Sequence, residues 1–229
     1  VDWTPNTNNK KDSDNYTSLL ASGEYIRISS NMIELGCIIN NSWGSSCFLE
    51  TEKEYKHSNL MKFFKGEKRE TASYEEYCKT FENDCKQDAK NCINMMTKSM
   101  EKGYNKFLII QAAGNGNSAN TGVETTLNGD YATVTEDVFN EWKNGLNDTE
   151  KKSVEKYSYE NIKEHILIVG AVENEEENGQ YKMTTFSNYG ENVDICAPGK
   201  DIYSTVTTED DSLENNSAED GKIYSEMSG

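Results

Sequence analysis

The chain has 229 residues, enough for one sizeable hydrophobic core or two small ones, and we expect one main domain. Its 40 acidic and 23 basic residues give a net charge of −17, which opposes binding to nucleic acid or to an anionic membrane surface. The sequence has neither an apolar run of about 18 residues nor a charged start followed by an apolar stretch, so we predict no membrane span and no signal peptide within it.

The first part of the chain combines a polar segment, one helix and one strand. Residues 1–14 are rich in Asn, Lys and Asp, which predicts a linker or a frayed end. Apolar positions at helical spacing follow over Tyr16–Leu35, and Gly36 is well placed to end that helix. Within Cys37–Gly44 a short apolar run opens into polar residues, the profile of a buried strand that ends in a loop. Residues 45–72 are charged, and we expect an irregular insertion there.

The clearest predicted helix covers residues 73–102. Ser73 and Glu76 have the spacing of a capping box, in which each side chain satisfies an amide at the other residue. Apolar residues then recur at every third or fourth position and draw a single stripe, and Gly103 supplies the stop. The stripe consists of Tyr74, Cys78, Phe81, Cys85, Ala89, Cys92, Met96 and Met100.

Three of the six cysteines lie on this helix. Cys78, Cys85 and Cys92 are spaced seven residues apart, which places each on one helix face about 10 Å from the next, too far to bridge one another. Two interpretations stay open. These residues are either small core residues or partners of the three other cysteines of the chain. No Cys-x-x-Cys pair and no neighbouring His supports a zinc site.

The most informative stretch is the apolar run 107–113 and the small residues that follow it. Residues Gly114–Ala119 match the G-x-G-x-x-G/A spacing of a dinucleotide-binding loop, but that motif requires a helix to begin at once. Residues 119–130 have the composition of a loop. We therefore favour a second interpretation, in which Asn115 is a side-chain donor at a strand end that can stabilise an oxyanion.

The second half of the chain supplies two more strands. Residues 120–163 are acidic and irregular, with short helices expected around Glu136–Lys143 and Glu150–Tyr157. The apolar runs His165–Val172 and Val193–Cys196 predict a third and a fourth strand. The order of these elements predicts an α/β fold with a parallel sheet, flanking helices and functional groups at the strand ends.

Several segments, in this order, resemble the subtilisin-like serine peptidases. Ile38–Gly44 resembles the strand and Ser-x-Gly segment that lines the family's primary specificity pocket and pairs with substrate backbone. Ala112–Asn115 resembles the segment that forms another pocket wall and carries the oxyanion-hole Asn. Three further stretches resemble the family's run toward the nucleophile: Val169–Val172, Thr185–Gly190, and Ala197–Gly199 with Ile202–Thr205.

The resemblance covers about residues 30–229 and implies an incomplete active site. Met227–Gly229 resembles the start of the family's Ser-Gly-Thr-Ser-Met motif and stops two residues before its nucleophilic Ser. The segments that carry the family's catalytic Asp and His are not found. His57 and His165 lie in neither context, so we expect both to be structural. The chain would correspond to the stretch between the catalytic His and the catalytic Ser, without any triad residue.

The resemblance also implies the roles of the site residues. Asn115 would be the oxyanion-hole donor, since its amide donates without carrying charge and favours the oxyanion over the ground-state carbonyl. A plainer interpretation makes Asn115 a turn residue and Trp43 a core aromatic. The residues that would bind substrate are Ser42, Trp43, Gly44, Ala112, Ala113 and Gly114.

We interpret residues 15–229 as a partial subtilisin-like peptidase domain with insertions near 45–72 and 117–163, inactive as this chain alone. The partners implied are a peptide or protein substrate and the remainder of the peptidase domain. The alternative is a non-catalytic acidic binding or adhesin domain on the same fold. Residues Asn40–Gly44 and the Cys before Ala197 resemble large secreted or autotransporter-type bacterial members, which implies an extracellular or cell-surface location.

We expect no cofactor. Many relatives bind calcium and this chain is acidic, which makes calcium the one ion to consider. No loop of the D-x-D-x-D-G type is present to locate such a site.

Overall fold

The computed structural model describes residues 32–42, 49–65, 72–205 and 224–229. The helix expected over Tyr16–Leu35 lies almost entirely outside these ranges. Two short 3₁₀ helices, Thr125–Leu127 and Asp130–Thr133, accompany the main elements. In chain order the main elements are β1 (Ile38–Asn41), α1 (Glu52–Phe64), α2 (Tyr74–Glu101), β2 (Leu108–Ala112), α3 (Glu136–Gly145), α4 (Asp148–Val154), α5 (Tyr159–Lys163), β3 (Ile166–Glu177), β4 (Gln180–Met183), β5 (Ile195–Pro198), β6 (Ile202–Thr205) and β7 (Tyr224–Met227).

The central sheet is mostly parallel, and the predicted α/β fold is confirmed. Strands β1, β2 and β3 run side by side in parallel, and β5 also pairs in parallel with β3. Only β4 runs antiparallel, in a hairpin with the end of β3. A separate antiparallel pair joins β6 to β7. No described helix is long and apolar enough to span a membrane.

Helix α2 is the longest element, and its prediction is confirmed. Ser73 accepts a hydrogen bond from the Glu76 amide, and the Glu76 carboxylate accepts one from the Ser73 amide, so the predicted capping box is formed. The apolar stripe faces the core, where Cys92 is fully buried, whereas Cys78 is only partly buried. Both of these cysteines carry free thiols, and burial raises the pKa of the Cys92 thiol well above its usual value.

The expectation of an irregular insertion at 45–72 is wrong in part, because α1 occupies its centre. The sequence carried a signal for this helix. Thr51 and Glu54 have capping-box spacing, and the Glu54 carboxylate accepts from the Thr51 amide at 3.0 Å. The helix packs on α2 through aromatic rings, with Tyr55 stacked on Tyr77 at 4.6 Å between centroids. Its weak apolar stripe explains why periodicity did not reveal it.

The segment expected to be irregular between residues 120 and 163 is more helical than predicted. Three helices follow one another, and each begins at a residue whose side chain caps the first amides: Thr135 for α3, Asn147 for α4 and Ser158 for α5. A further correction concerns β3, which runs past Val172 into a hairpin. Asn178 and Gly179 form its turn with φ of 55° and 81°, the pair that such two-residue turns favour.

The hydrophobic core lies on one face of the sheet. Ile39, Ile109 and Ile168 alternate onto this face and pack with α2 residues such as Ile93 and Met96. The helices α3, α4 and α5 and the second 3₁₀ helix extend the same core. This arrangement leaves the carboxyl ends of β1 and β2 together, beside the part of β3 around Val169.

Candidate functional site

A cavity of about 210 Å³ lies at the carboxyl ends of β1, β2 and β5. Its walls come from these strand ends, from Val169–Ala171 within β3, and from the last residue of the chain, Gly229. Because parallel strands end at the same edge of a sheet, residues distant in sequence converge here. The lining is dominated by small and apolar residues, and none of the lining side chains among the described residues carries a charge.

Most of the residues predicted from the sequence line this cavity. Trp43 and Gly44 lie outside the described residues. The Ser42 hydroxyl donates to Asn40 Oδ1 at 3.1 Å at the rim. The predicted residues that line the cavity are Ser42, Ala112, Ala113, Gly114 and Asn115.

The end of β2 turns sharply at Gly114, where both the backbone conformation and the neighbouring side chains favour glycine. The last rung of the strand is the bond from the Ala113 amide to the Val169 carbonyl, at 2.9 Å. Gly114 then adopts φ of +107°, a conformation that side chains disfavour. A Cβ on Gly114 would lie 2.1 Å from Asn128 Oδ1 and 2.5 Å from Asn188 Nδ2. Backbone and surrounding side chains therefore both require glycine immediately before Asn115.

Asn115 is exposed and faces the last residue of the chain. Its Nδ2 lies 3.3 Å from the position that a Cβ would take on Gly229. The Gly229 amide donates to the Gly199 carbonyl at 2.9 Å, which fixes the end of the chain beside the strand edge. Gly199 has no room for a Cβ either, since Ala171 Cβ would lie at 2.7 Å. The Asn115 amide makes no hydrogen bond to any part of the chain that the structure describes, so it is available to a ligand.

The loop that follows Asn115 is tightly held but is not a helix. Asn117 Oδ1 accepts from the amides of Ala119 and Thr121, at 2.9 and 3.2 Å, which closes a turn. Ser118 reaches α1, where its hydroxyl donates to the Glu54 carboxylate, and this bond lowers the pKa of Glu54. The dinucleotide-binding alternative required a helix to start here, so it is excluded.

Two asparagines that the sequence analysis did not single out lie behind this turn. The Asn188 backbone N–H donates to the Gly114 carbonyl at 2.9 Å, and the Asn188 side-chain Oδ1 accepts from the Val123 backbone N–H at 3.0 Å. Asn128 is buried against Gly114, and its Nδ2 has no hydrogen-bond partner among the described residues. Asn188 belonged to a segment noted only for its resemblance, and Asn128 to an insertion read as irregular. No local pattern reveals contacts made across such distances in sequence.

Neither histidine lies at the cavity. His165 is buried at the amino end of β3, the opposite edge from Asn115, where its Nδ1 lies 2.9 Å from the Phe107 carbonyl and its ring stacks on Phe107. His57 is exposed on α1. The Ser228 hydroxyl, next to Gly229 in the chain, accepts from the Asp201 backbone N–H at 2.9 Å. The described residues therefore place no histidine beside a serine at this site.

No group of three or more His, Cys, Asp or Glu side chains within the described ranges is arranged to hold a metal ion. The expectations on cofactors and on calcium stay predictions.

Comparison with solved structures gives weak similarity to proteases. An "S41 Psychrophilic Protease" aligns over 80% of this chain and 39% of its own length, with 20% identity and a TM-score of 0.34. "Sphericase" aligns over 59% of this chain and 33% of its own length, with 19% identity and a TM-score of 0.29. Both scores are too low to support an inference.

Sequence comparisons are more informative. The "Thermophilic serine proteinase" of Bacillus sp. (strain AK1) is 44% identical over 62 residues, which represent 27% of this chain and only 13% of that relative. A family model described as "Subtilase family" matches residues 9–229, nearly the whole chain. With its parallel sheet and the convergence of the family-like segments at one strand edge, the chain belongs to the subtilase family.

Proposed function

We propose that this chain supplies the oxyanion-hole donor and part of the substrate cleft of a subtilisin-like serine endopeptidase. The observation that carries the proposal is the position of Asn115. Its side-chain amide stands at the carboxyl end of β2, faces the cavity beside Gly229, and has no hydrogen-bond partner among the described residues. A donor held in this way, on a glycine turn and next to a strand end, is suited to bind a developing negative charge.

The chemistry follows from where charge appears. Attack of a serine on a peptide carbonyl turns the carbonyl oxygen into an oxyanion, and a donor aimed at that oxygen lowers the barrier. An Asn amide suits this role because it is neutral, so it does not bind the uncharged ground state as strongly as the charged intermediate. In subtilisin, loss of one such donor lowers turnover by about 10²–10³.

The residues around Asn115 are suited to hold an extended peptide. Ser42 lies at the end of β1 and Ala112–Gly114 lie at the end of β2, on either side of the cavity. An extended substrate could lie between these strand ends and pair with their backbone, as peptides do at open strand edges. The small side chains of the β2 segment leave room for a substrate side chain.

The described residues do not supply the rest of the catalytic machinery. A nucleophilic serine needs a histidine within hydrogen-bond reach, and that histidine needs an orienting carboxylate. His165 is bonded and stacked at the opposite sheet edge, and His57 is exposed on α1. We therefore propose that the triad comes from the remainder of a peptidase domain, that this chain alone is inactive, and that its substrate is a peptide or protein.

The coding sequence tests this proposal directly. The codons after that of Gly229 should encode Thr-Ser-Met, which would place the nucleophile immediately beyond the segment that contacts Gly199. A phosphonate that labels activated serines should then modify the longer protein at that serine and leave this chain unmodified. A reading frame without that serine would favour the alternative, a non-catalytic binding or adhesin domain on the same fold.

We also propose an extracellular or cell-surface location. The net charge of −17 is compatible with an exposed, well-solvated protein, and the relative from Bacillus makes a bacterial source reasonable. Fractionation of cells that express the native gene, followed by immunoblotting, would test the location. Recovery of the protein only with cytoplasmic markers would contradict it.

A further inference from the structure

We propose that Asn188 is a positioning residue, which fixes the oxyanion donor by closing the loop that carries it. This inference rests on the proposed role of Asn115 and adds a residue that acts through it. Asn188 lies outside the cavity and does not touch the place where substrate would bind. Its effect would be exerted on the backbone at both ends of the loop 114–123.

The contacts of Asn188 join the two ends of that loop. Its backbone N–H donates to the Gly114 carbonyl at 2.9 Å, directly before Asn115. Its side-chain Oδ1 accepts from the Val123 N–H at 3.0 Å, at the far end of the loop. Asn188 itself has an exposure of 1%, so its side of these bonds is shielded from competing water. One residue therefore sets the separation of the loop ends.

Asn188 is itself tied to the sheet through its neighbours. The Ser187 hydroxyl accepts from the Ala171 amide of β3 at 2.9 Å and donates to the Asn188 carbonyl at 3.1 Å. The Tyr189 amide donates to the Val123 carbonyl at 3.1 Å, which adds a second bond at the loop end. The position of Asn115 is thus fixed from β2, which precedes it, and from β3 through Asn188.

The side chain of Asn188 also shapes the turn. Its Nδ2 and the Oδ1 of Asn128 occupy the space beside Gly114 where a Cβ would otherwise project. Removal of the Asn188 side-chain amide group would leave the partly buried Val123 N–H without its acceptor and open space beside the turn. Misplacement of a catalytic group by about 1 Å can cost about 10²-fold in rate, so a small shift of Asn115 would be measurable.

The chain contains a matched control for this test. Asn192 is partly buried, and its Nδ2 donates to the Ala132 and Val134 carbonyls at 3.1 and 3.4 Å. It has the same side chain and also bonds to backbone, but its bonds lie in the 3₁₀ segment rather than at the loop. A general loss of stability should therefore affect Asn188→Ala and Asn192→Ala alike, whereas loss of positioning should affect only the first.

The experiment compares variants of the complete peptidase that carries this chain. Asn188→Ala should lower kcat by about tenfold or more with little change in KM, because the donor acts on the transition state. Asn188→Asp retains an oxygen acceptor for the Val123 amide and should restore part of the lost turnover. Asn192→Ala should keep wild-type kcat. Wild-type kcat in Asn188→Ala, or equal losses in the Asn188 and Asn192 variants, would overturn the inference.

Hydrogen exchange of the wild-type protein gives an independent result if the Asn188 variants fail to fold. The Val123 amide should be protected to the same degree as amides of β3, since it would open only with the sheet. Exchange as fast as in an open loop would overturn the inference.

Asn115→Ala separates the two proposals. If that variant kept full turnover while Val123 stayed protected, the proposed function would fail and loop closure by Asn188 would stand.

Discussion

The two faces of the parallel sheet differ sharply in how they are covered. On the helical face, Ile109 has an exposure of 0% and packs under α2 with Ile39 and Ile168. On the opposite face, Ile38 has an exposure of 69%, and Ile110 and Val169 are only partly buried. Parallel sheets normally bury both faces, so this contrast is unusual for such a fold.

The contrast separates the hydrophobic core, which stabilises the fold, from the cavity for which we propose a function. The helical face carries the core, whereas the cavity borders the other face, where Ile110 and Val169 are among its lining residues. We propose that the remainder of the peptidase domain covers this second face and completes the cavity. The exposed apolar residues of that face, such as Ile38 and Ile195, would then become buried.

A matched pair of substitutions would test this division most strongly. Ile109→Ala removes a fully buried side chain and should lower the free energy of unfolding by about 2–5 kcal/mol. Ile38→Ala, in the neighbouring strand but on the other face, should change it by about 0.5 kcal/mol or less. Urea unfolding of both variants measures the difference. Equal losses would show that the face of Ile38 is already packed in this chain.

On the helical face, the buried Asp130 carboxyl group should make the free energy of unfolding depend on pH. Burial, with a further contribution from the Asp88 carboxylate, raises the pKa of Asp130 from 3.8 to about 6. Between these values the folded chain still holds a proton that the unfolded chain has released, so stability falls as pH rises through this window. The loss is complete above about pH 6 and amounts to as much as about 3 kcal/mol.

Asp130→Asn should therefore stabilise the protein above pH 6 and have little effect below about pH 4. Asn also tolerates the positive φ of 48° at this position, so the backbone should not be strained. Urea unfolding at pH 4 and pH 7.5 would measure both values. The same gain at both pH values would show that the carboxylate charge is not the cause.

A smaller effect is expected at the start of α2. Ser73→Ala removes the acceptor for the Glu76 amide and should cost about 1 kcal/mol of stability. Thermal unfolding followed by circular dichroism would detect it. Ser153→Ala is a suitable comparison, because the Ser153 hydroxyl only donates to a carbonyl within α4 and should matter less. A loss at Ser153 equal to that at Ser73 would contradict the role of the cap.

The sequence predicted those parts of the fold that local signals specify. The capping box and apolar stripe gave α2, and apolar runs gave the parallel strands. Two further elements also have local signals in the sequence: the Thr51 and Glu54 pair that starts α1, and the Asn178–Gly179 turn of the hairpin. Cap and turn residues therefore specify α1 and the hairpin even though neither has a strong apolar period.

The residues of the candidate site also differ in whether local sequence signals predict them. Asn115 and its flanking glycine could be proposed from one segment, because the strand and its end are adjacent in the chain. The role of Asn188 could not be proposed from the sequence, because it depends on hydrogen bonds to Gly114 and Val123, which lie in a distant segment. Asn128 likewise approaches Gly114 only after the insertion has folded. Contacts of this kind are set by tertiary packing and leave no periodic pattern.

The central claim is the role of Asn115, and its replacement by Ala in the complete peptidase tests that claim most directly. Turnover should fall by about 10²–10³ with little change in KM, because the donor acts mainly on the transition state. The unfolding midpoint should not change, since Asn115 is exposed and its amide bonds to no described residue. Full turnover in this variant, or activity lost only through unfolding, would make Asn115 a turn residue and contradict the account.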